Sequence, residues 1–451
     1  MVKIVISTDW TKTRDYILDR IAEDVSAQKG GRFLVVPDLI THDMERRLSA
    51  AAGDTCSRFC EVVSFKRLAQ RVAEYSQCAV PACLDNGGRI VAMAAAVKML
   101  AGKLKNYACV SARPEFLSGL VDAVDEFKRC CISAQDLHKA SLRTEGEFAQ
   151  KLEELALIYE SYDAITAQGK CDPRDQMTWL LEHMETTDFV EKHVFYVDGF
   201  PDLTGQHSRI LAHLIENSPS VTVGLNCDKV GSDNMAFEKV GKTALDIKSL
   251  AGSDYETVVL DDSATPLRLS ALRLFQGTTK VIEGLDAYLH IYRGESVYEE
   301  CTGAAERVLQ IVRGGGRYRD IGIVCADLSG YENALRLAFA RSGIPYYRSG
   351  TDSILQKTVI RSLLCAMDVA LGGFDRSAVL RYMRSVLCSL ETEACDMLEN
   401  YCFVWNVNGQ DWCKPWTNHP DGLAKEFDSE STGRLAALEE ARFVLVEPLL
   451  R

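Results

Sequence analysis

The sequence predicts an α/β protein built on parallel sheets that carry helical insertions. Three observations support this. Short apolar, β-branched runs recur along the chain, helical patterns fill the intervals between them, and the runs are apolar at successive positions. A strand with one wet face alternates apolar and polar residues. A run that is apolar throughout must be covered on both faces, and the helices linking parallel strands provide that cover.

Taken in order, the strand-like runs are residues 2–6, 33–36, 62–64, 194–197, 221–225, 257–260, 290–292, 321–325 and 344–347. Residues 88–185 interrupt the series. Within them, 145–170 places Phe148, Leu152, Leu155, Tyr159 and Tyr162 at alternating spacings of four and three, one stripe on a helix. Gly169 reads as its stop. Asp172-Pro173 then opens a new helix as N-cap and first-turn proline, with Asp175 also in the first turn, so these acids read as caps rather than catalysts. Gly314-Gly315-Gly316 follows a helix and precedes a strand, which suits helix termination better than phosphate binding. From about Ser353 helical patterns dominate, and the chain stops inside one at 444–451, which reads as a piece of something longer. The expected layout is a first sheet domain from 1–87 and 186–285, a helical insertion at 88–185, the start of a second sheet domain at 286–352, and its own helical insertion at 353–451.

With 451 residues the chain is too long for one core. Its 47% apolar and 25% charged content is that of an ordinary globular protein, no apolar run of 18 residues offers a membrane span, and no secretory pattern opens the chain. A cytoplasmic protein is expected. The sixteen cysteines are scattered without a C-x-x-C pair, and Cys109, Cys325 and Cys365 sit in apolar stretches, so free thiols are expected. The eight histidines show no helical pairing, and no metal site is expected. A net charge of −13 argues against a wholly nucleic-acid-coating surface but not against a local channel. Between Arg336 and Arg384, eight basic residues, Arg348 and Arg361 among them, face only Asp352, Asp368 and Asp375. Solvated helix faces would also account for that island.

The stretch "STDWTKTRDYIL", residues 7–18, lies between the first run and a helical pattern, as a phosphate-cradling loop does. In G-x-x-x-x-G-K-[ST] the glycines turn backbone N–H groups onto phosphates, the lysine neutralises charge and the hydroxyl holds magnesium. Aligned on Lys12-Thr13, the glycine positions are Ile6 and Thr11, whose β-branched side chains resist the required conformation. Gly241-Lys242-Thr243 has Ala236 where the first glycine belongs and reads as a decoy. A motor also needs an Asp-Glu pair at the end of a second strand, but "HVFYVDGFPDLTGQ" presents Asp198 followed by Gly199. Two defects in one site indicate a retained scaffold with lost hydrolysis. An active translocase would have only Lys12, Thr13 and Asp198 to work with.

The ordered stretches "RFLVVPDLITHDMERRL", "EVVSFKRLAQRV", "FLSGLVDAVDEFKRCCISAQDL", "KLEELALIYESYDA", "FYVDGFPDLTGQ", "GGGRYRDIGIVCADLSGYENAL" and "SGIPYYRSGTDSILQKTVIRSLLCAMDVALGGFDRSAVLRYMRS" resemble the AddB family, components of the bacterial AddAB helicase-exonucleases. The resemblance implies RecA-like, superfamily-1 helicase-like lobes, each with a helical insertion. A nuclease domain with an iron–sulfur cluster would follow beyond Arg451, so no catalytic residue, metal ligand or cofactor is assigned here, and whether ATP and magnesium bind is left open. It also implies an AddA-type motor partner and single-stranded DNA inspected for a Chi sequence. By resemblance Phe65 and Arg67 of Ser-Phe-x-Arg-Leu, Phe200 of Asp-Gly-Phe, and Thr41 become candidate DNA contacts. Stacking and phosphate contact add Lys66 and Arg71, and the basic island adds Arg348 and Arg361. Where the family often has an aromatic, this chain has Gln70, so Chi reading could differ. Strand-end packing for Phe65 and Phe200, solvated helix faces for the arginines, and a pure protein-binding scaffold remain the alternatives.

Overall fold

The computed structural model describes residues 1–107, 113–260, 265–277, 280–348, 354–423 and 425–450. Cys109, Asp352, Ser353 and Arg451 lie outside these residues. The chain divides into two compact units, Met1–Ile291 and Tyr292–Arg451.

The first unit opens with β1 (Val2–Ser7), α1 (Trp10–Ser26), β2 (Arg32–Val35), α2 (Thr41–Ala52), β3 (Cys60–Val63) and α3 (Phe65–Tyr75). Four helices follow, α4 (Asn86–Met99), α5 (Pro114–Arg129), α6 (Ala134–Ser141) and α7 (Gly146–Thr166). The chain then returns through α8 (Asp175–Glu185), β4 (Val194–Val197), α9 (Gly205–Asn217), β5 (Val221–Asn226), α10 (Glu238–Ala251), β6 (Tyr255–Val259) and α11 (Pro266–Arg273). The six strands form one parallel sheet in the order β3-β2-β4-β5-β1-β6. The apolar runs explain it. Phe33 and Val35 point into a core with Leu68 and Val72 of α3, Leu180 and Met184 of α8, and Leu211 of α9. Leu34 and Val36 point the other way, onto Ile17 and Ile21 of α1 and Met44 and Leu48 of α2. Both faces of the inner strands are dry, as uninterrupted apolar runs require.

Because every strand runs the same way, the loops after β1, β2, β3 and β4 open at one edge. Three of the helices leaving that edge are started by a side-chain cap. Asp9 caps α1 by accepting from the Thr11 N–H, Ser64 caps α3 through the Arg67 N–H, and Thr204 caps α9 through the His207 N–H.

Helices α4 to α7 share a separate core containing Met93, Val97, Leu120, Val121, Tyr159 and Tyr162. Phe148 departs from the predicted stripe. It sits in the first turn of α7 and is 61% exposed. Helix α8, although inside the 88–185 segment, packs Leu180 and Met184 into the sheet core instead. The capping expectation for Asp172 also needs correction. α8 starts at Asp175, and Asp172 is fully buried, accepting from Tyr162 Oη (2.6 Å), Arg89 Nε (2.9 Å) and the Arg174 N–H (2.8 Å).

In the second unit, α12 (Val297–Arg313) and α13 (Leu328–Ser342) share a small core around Ala305, Ala334 and Phe339. Gly314 caps α12 and Gly315 follows at φ +99°, so the glycine run does terminate a helix. A larger core joins α14 (Thr358–Leu371), α15 (Arg376–Met383), α16 (Thr392–Val404) and α17 (Ser429–Leu450) around Trp412, Trp416 and Tyr401. The expected strands at 290–292, 321–325 and 344–347 are not formed among the described residues. Their β-branched and aromatic composition suits a covered sheet, but Ile291, Val324 and Tyr347 are each more than nine-tenths exposed and have no strand to pair with among those residues.

The packing of α8 predicts that Leu180→Ala lowers stability by about 2–5 kcal/mol in urea denaturation of residues 1–291 within the chain. Leu142→Ala, at a position 74% exposed, should change it by less than about 0.5 kcal/mol.

Candidate functional site

Only Thr8 and Asp9 separate β1 from α1. The eight-residue frame that should wrap a phosphate is therefore already spent on regular structure. Ile6 is paired with Leu225 and Val259 in the sheet, and Thr11 lies in the first turn of α1. Asp9 takes the place an anion would occupy at a helix N-terminus. Its Oδ1 accepts from the Thr11 N–H (3.0 Å) and from Thr11 Oγ1 (2.5 Å), and Arg268 Nη2 lies 3.5 Å from Oδ2. Thr13, the would-be magnesium ligand, is buried and donates its hydroxyl to the Trp10 carbonyl (3.1 Å). Gly241 of the second Gly-Lys-Thr lies inside α10, where an added Cβ would come within 2.5 Å of the Ser232 nitrogen, so that glycine serves close packing.

Asp198 stands at the end of β4 and is 4% exposed. Arg14 Nε donates to its Oδ2 at 3.0 Å, and both side chains are buried. Burial pushes the Asp198 carboxyl up and the Arg14 guanidinium draws it back down. Arg14 also stacks over the Trp10 ring, 4.6 Å from its centroid. Two glycines make the arrangement possible. A Cβ on Gly224 of β5 would lie 3.0 Å from Asp198 Oδ1 and 2.9 Å from Ile17 Cδ1. Gly199 has φ +84°, and a Cβ there would meet Ile40 Cδ1 at 2.9 Å and Pro37 Cδ at 3.1 Å. A glutamate after Asp198 is thus excluded by backbone conformation and by space.

Beside this pair a cleft of about 820 Å³ opens between the strand ends and the stalk of the α4–α7 insertion. Lys66, Phe200 and His207 line one wall, and Cys83, Arg89 and Arg174 the other. The far wall is held by ion pairs. Asp125 accepts from Arg89 Nη2 (2.6 Å) and Arg174 Nε (2.7 Å), and Arg89 also reaches Asp172.

A family model described as "ADDB, N-terminal" matches residues 9–270, which include α1, the Asp198 strand and the whole cleft. The chain belongs to the AddB N-terminal family. Relatives named as the B component of an ATP-dependent helicase/deoxyribonuclease occur in Clostridium perfringens strain 13, 23% identical over 99% of this chain and 41% of the relative, and in Acetivibrio thermocellus, 23% identical over 92% and 38%. Another, from Thermoanaerobacter sp. strain X514, is 25% identical over 92% of this chain and 38% of its own length. The chain therefore spans about two-fifths of the curated relatives it matches. Among the described residues, no helix is long and apolar enough to cross a membrane, and no group of three metal-ligating side chains occurs.

Within this AddB N-terminal domain the expected DNA contacts fall in different places. Phe65 is 4% exposed and stacks on His207, with centroids 4.4 Å apart and planes 15° apart, and tilts against Phe200 at 5.3 Å. It packs within the cleft wall. Lys66 is exposed and Phe200 half-buried. Arg67 pairs with Glu45 (3.0 Å), Arg71 with Glu61 (2.6 Å) and Glu74 (2.5 Å), and the Thr41 hydroxyl donates to the Asp38 carbonyl (3.0 Å). Arg348 and Arg361 belong to the second unit, the first paired with Glu332 and the second exposed. Sequence reasoning missed Asp9, Arg14, Arg89, Arg174 and His207. The cap signal of Asp9 before a helical run was available, whereas nothing local tells that Arg14 meets an acid 184 residues away.

Burial, with Arg129 and Arg174 nearby, pushes the His207 imidazole down from 6.5 to about 4. The unfolded chain therefore takes up a proton near pH 6.5 that the folded one refuses until about pH 4, and stability falls as pH drops through that window. Urea denaturation should show a loss of about 2 kcal/mol between pH 6.5 and 4. His207→Gln should flatten that slope.

Proposed function

We propose that this chain is the helicase-like amino-terminal part of one component of a DNA end-processing ATP-dependent helicase/deoxyribonuclease, acting in double-strand break repair by recombination. In this role it grips single-stranded DNA and does not hydrolyse ATP itself. One observation carries the reading: the acid that would hold magnesium, Asp198, holds Arg14 instead. The residues at the loop do not fit magnesium–ATP, since Asp9 already satisfies the start of α1 and Gly199 leaves no carboxylate to orient water. An AddA-type helicase-nuclease partner then supplies the motor. The emerging strand runs through the cleft, where Phe200 offers its ring to bases and the exposed Lys66 offers charge to phosphates. Inspection for Chi takes place on that wall. RecA-like ancestry accounts for a parallel sheet that sets one strand between β1 and the Asp198 strand.

Equilibrium dialysis of the isolated chain against magnesium–ATP at millimolar concentration should show no saturable binding, and single-stranded DNA should elicit no turnover. DNA-stimulated hydrolysis that Lys12→Ala abolishes would instead establish an active translocase.

Fluorescence anisotropy with a labelled oligonucleotide should show binding that weakens steeply with salt. Lys66→Ala and Phe200→Ala should each reduce affinity about three- to tenfold. Arg67→Ala, already paired with Glu45, should change it less. Salt-insensitive behaviour, or no binding with the motor partner present, would favour a protein scaffold.

A further inference from the structure

The α4–α7 insertion is tied to the sheet unit by two connections, and each carries a cysteine. Cys83 lies on the way in, between α3 and α4, and Cys171 on the way out, between α7 and α8. The two connections run side by side as an isolated parallel bridge pairing Cys83 with Cys171. The Cys171 N–H donates to the Ala82 carbonyl and the Leu84 N–H to the Cys171 carbonyl, both at 2.9 Å. Directly bridged residues project their Cβ atoms to the same side, and here the two sulfurs lie 3.4 Å apart. Among the described cysteines these are the two whose sulfurs touch. Bridged strands hold their Cα atoms at a separation a disulfide spans without backbone movement.

We propose that Cys83 and Cys171 form a reversible disulfide when the chain meets a peroxide, clamping the base of the helical insertion. The Cys83 sulfur attacks one peroxide oxygen, breaking the O–O bond, and becomes a sulfenic acid as water leaves. The Cys171 sulfur then attacks the sulfenic sulfur, the S–S bond forms, and a second water leaves. Two thiols are oxidised by two electrons in all and one hydrogen peroxide is reduced to two waters. Cys83 lines the cleft and Cys171 does not, so Cys83 is the sulfur that meets the oxidant and Cys171, in contact with it, is the resolving partner. The cross-link spans a sequence separation of 88 residues, long enough to restrict the unfolded chain strongly.

The test uses the whole chain, reduced and then titrated with hydrogen peroxide. Non-reducing peptide mapping should recover Cys83 and Cys171 in one linked peptide, lighter by two hydrogens and released by dithiothreitol. The melting temperature should rise by about 5 °C, and this rise should be absent from Cys83→Ser and Cys171→Ser. Recovery of both cysteines as free, alkylatable thiols while the exposed Cys78 and Cys130 are oxidised would overturn the proposal, as would linkage of Cys83 to any other cysteine. Neither readout involves DNA, so failure here leaves the cleft assignment untouched.

Discussion

The buried contact between Arg14 and Asp198 is the constraint on which the strand-end edge of the sheet is organised. Removing either partner from such a pair leaves a charge stranded in the interior, at a cost of about 3–5 kcal/mol. The pair therefore dictates what surrounds it. Gly224 must lack a side chain so that α1 can approach β5, Trp10 covers the guanidinium from above, and Gly199 turns the chain away under Pro37 and Ile40. A divalent cation at Asp198 would first have to displace a guanidinium that is itself sealed from water. The chemistry of the loop and the stability of the fold are consequently one matter.

The remainder of the first unit follows from a sheet whose strands all end at one edge. That edge collects the loops after β1, β2, β3 and β4, and the insertion stands beside it on the two connections containing Cys83 and Cys171. Arg89, Asp125, Asp172 and Arg174 lock the stalk, each carboxylate shared between cations or with a phenol, so the cleft has a rigid far wall. Its near wall is an aromatic stack of Phe65, His207 and Phe200, with Phe65 the most deeply buried of the three.

Much of this was legible in the residues, and the division has a physical basis. Apolar runs at 2–6, 33–36, 194–197 and 221–225 identified buried parallel strands because dryness on both faces leaves its mark on successive residues. Equally apolar runs at 321–325 and 344–347 misled, because a strand is made by a paired neighbour and composition cannot supply one. The missing loop glycines and the Gly199 after Asp198 were visible as identities at fixed spacing. The cap residue Asp9 was visible too, but the shortness of its turn was not, since the same letters could have spanned a longer loop.

By itself the sequence determined the α/β class, the lack of a cradle glycine at Ile6 and Thr11, and the absence of an acid beside Asp198, because each is a property of near neighbours in the chain. Only the tertiary structure decided that Arg14 answers Asp198 across 184 positions, that Phe65 is a wall support, and that Cys83 touches Cys171. Such encounters depend on how the strands are ordered and how the connections cross, and local periodicity carries no record of either.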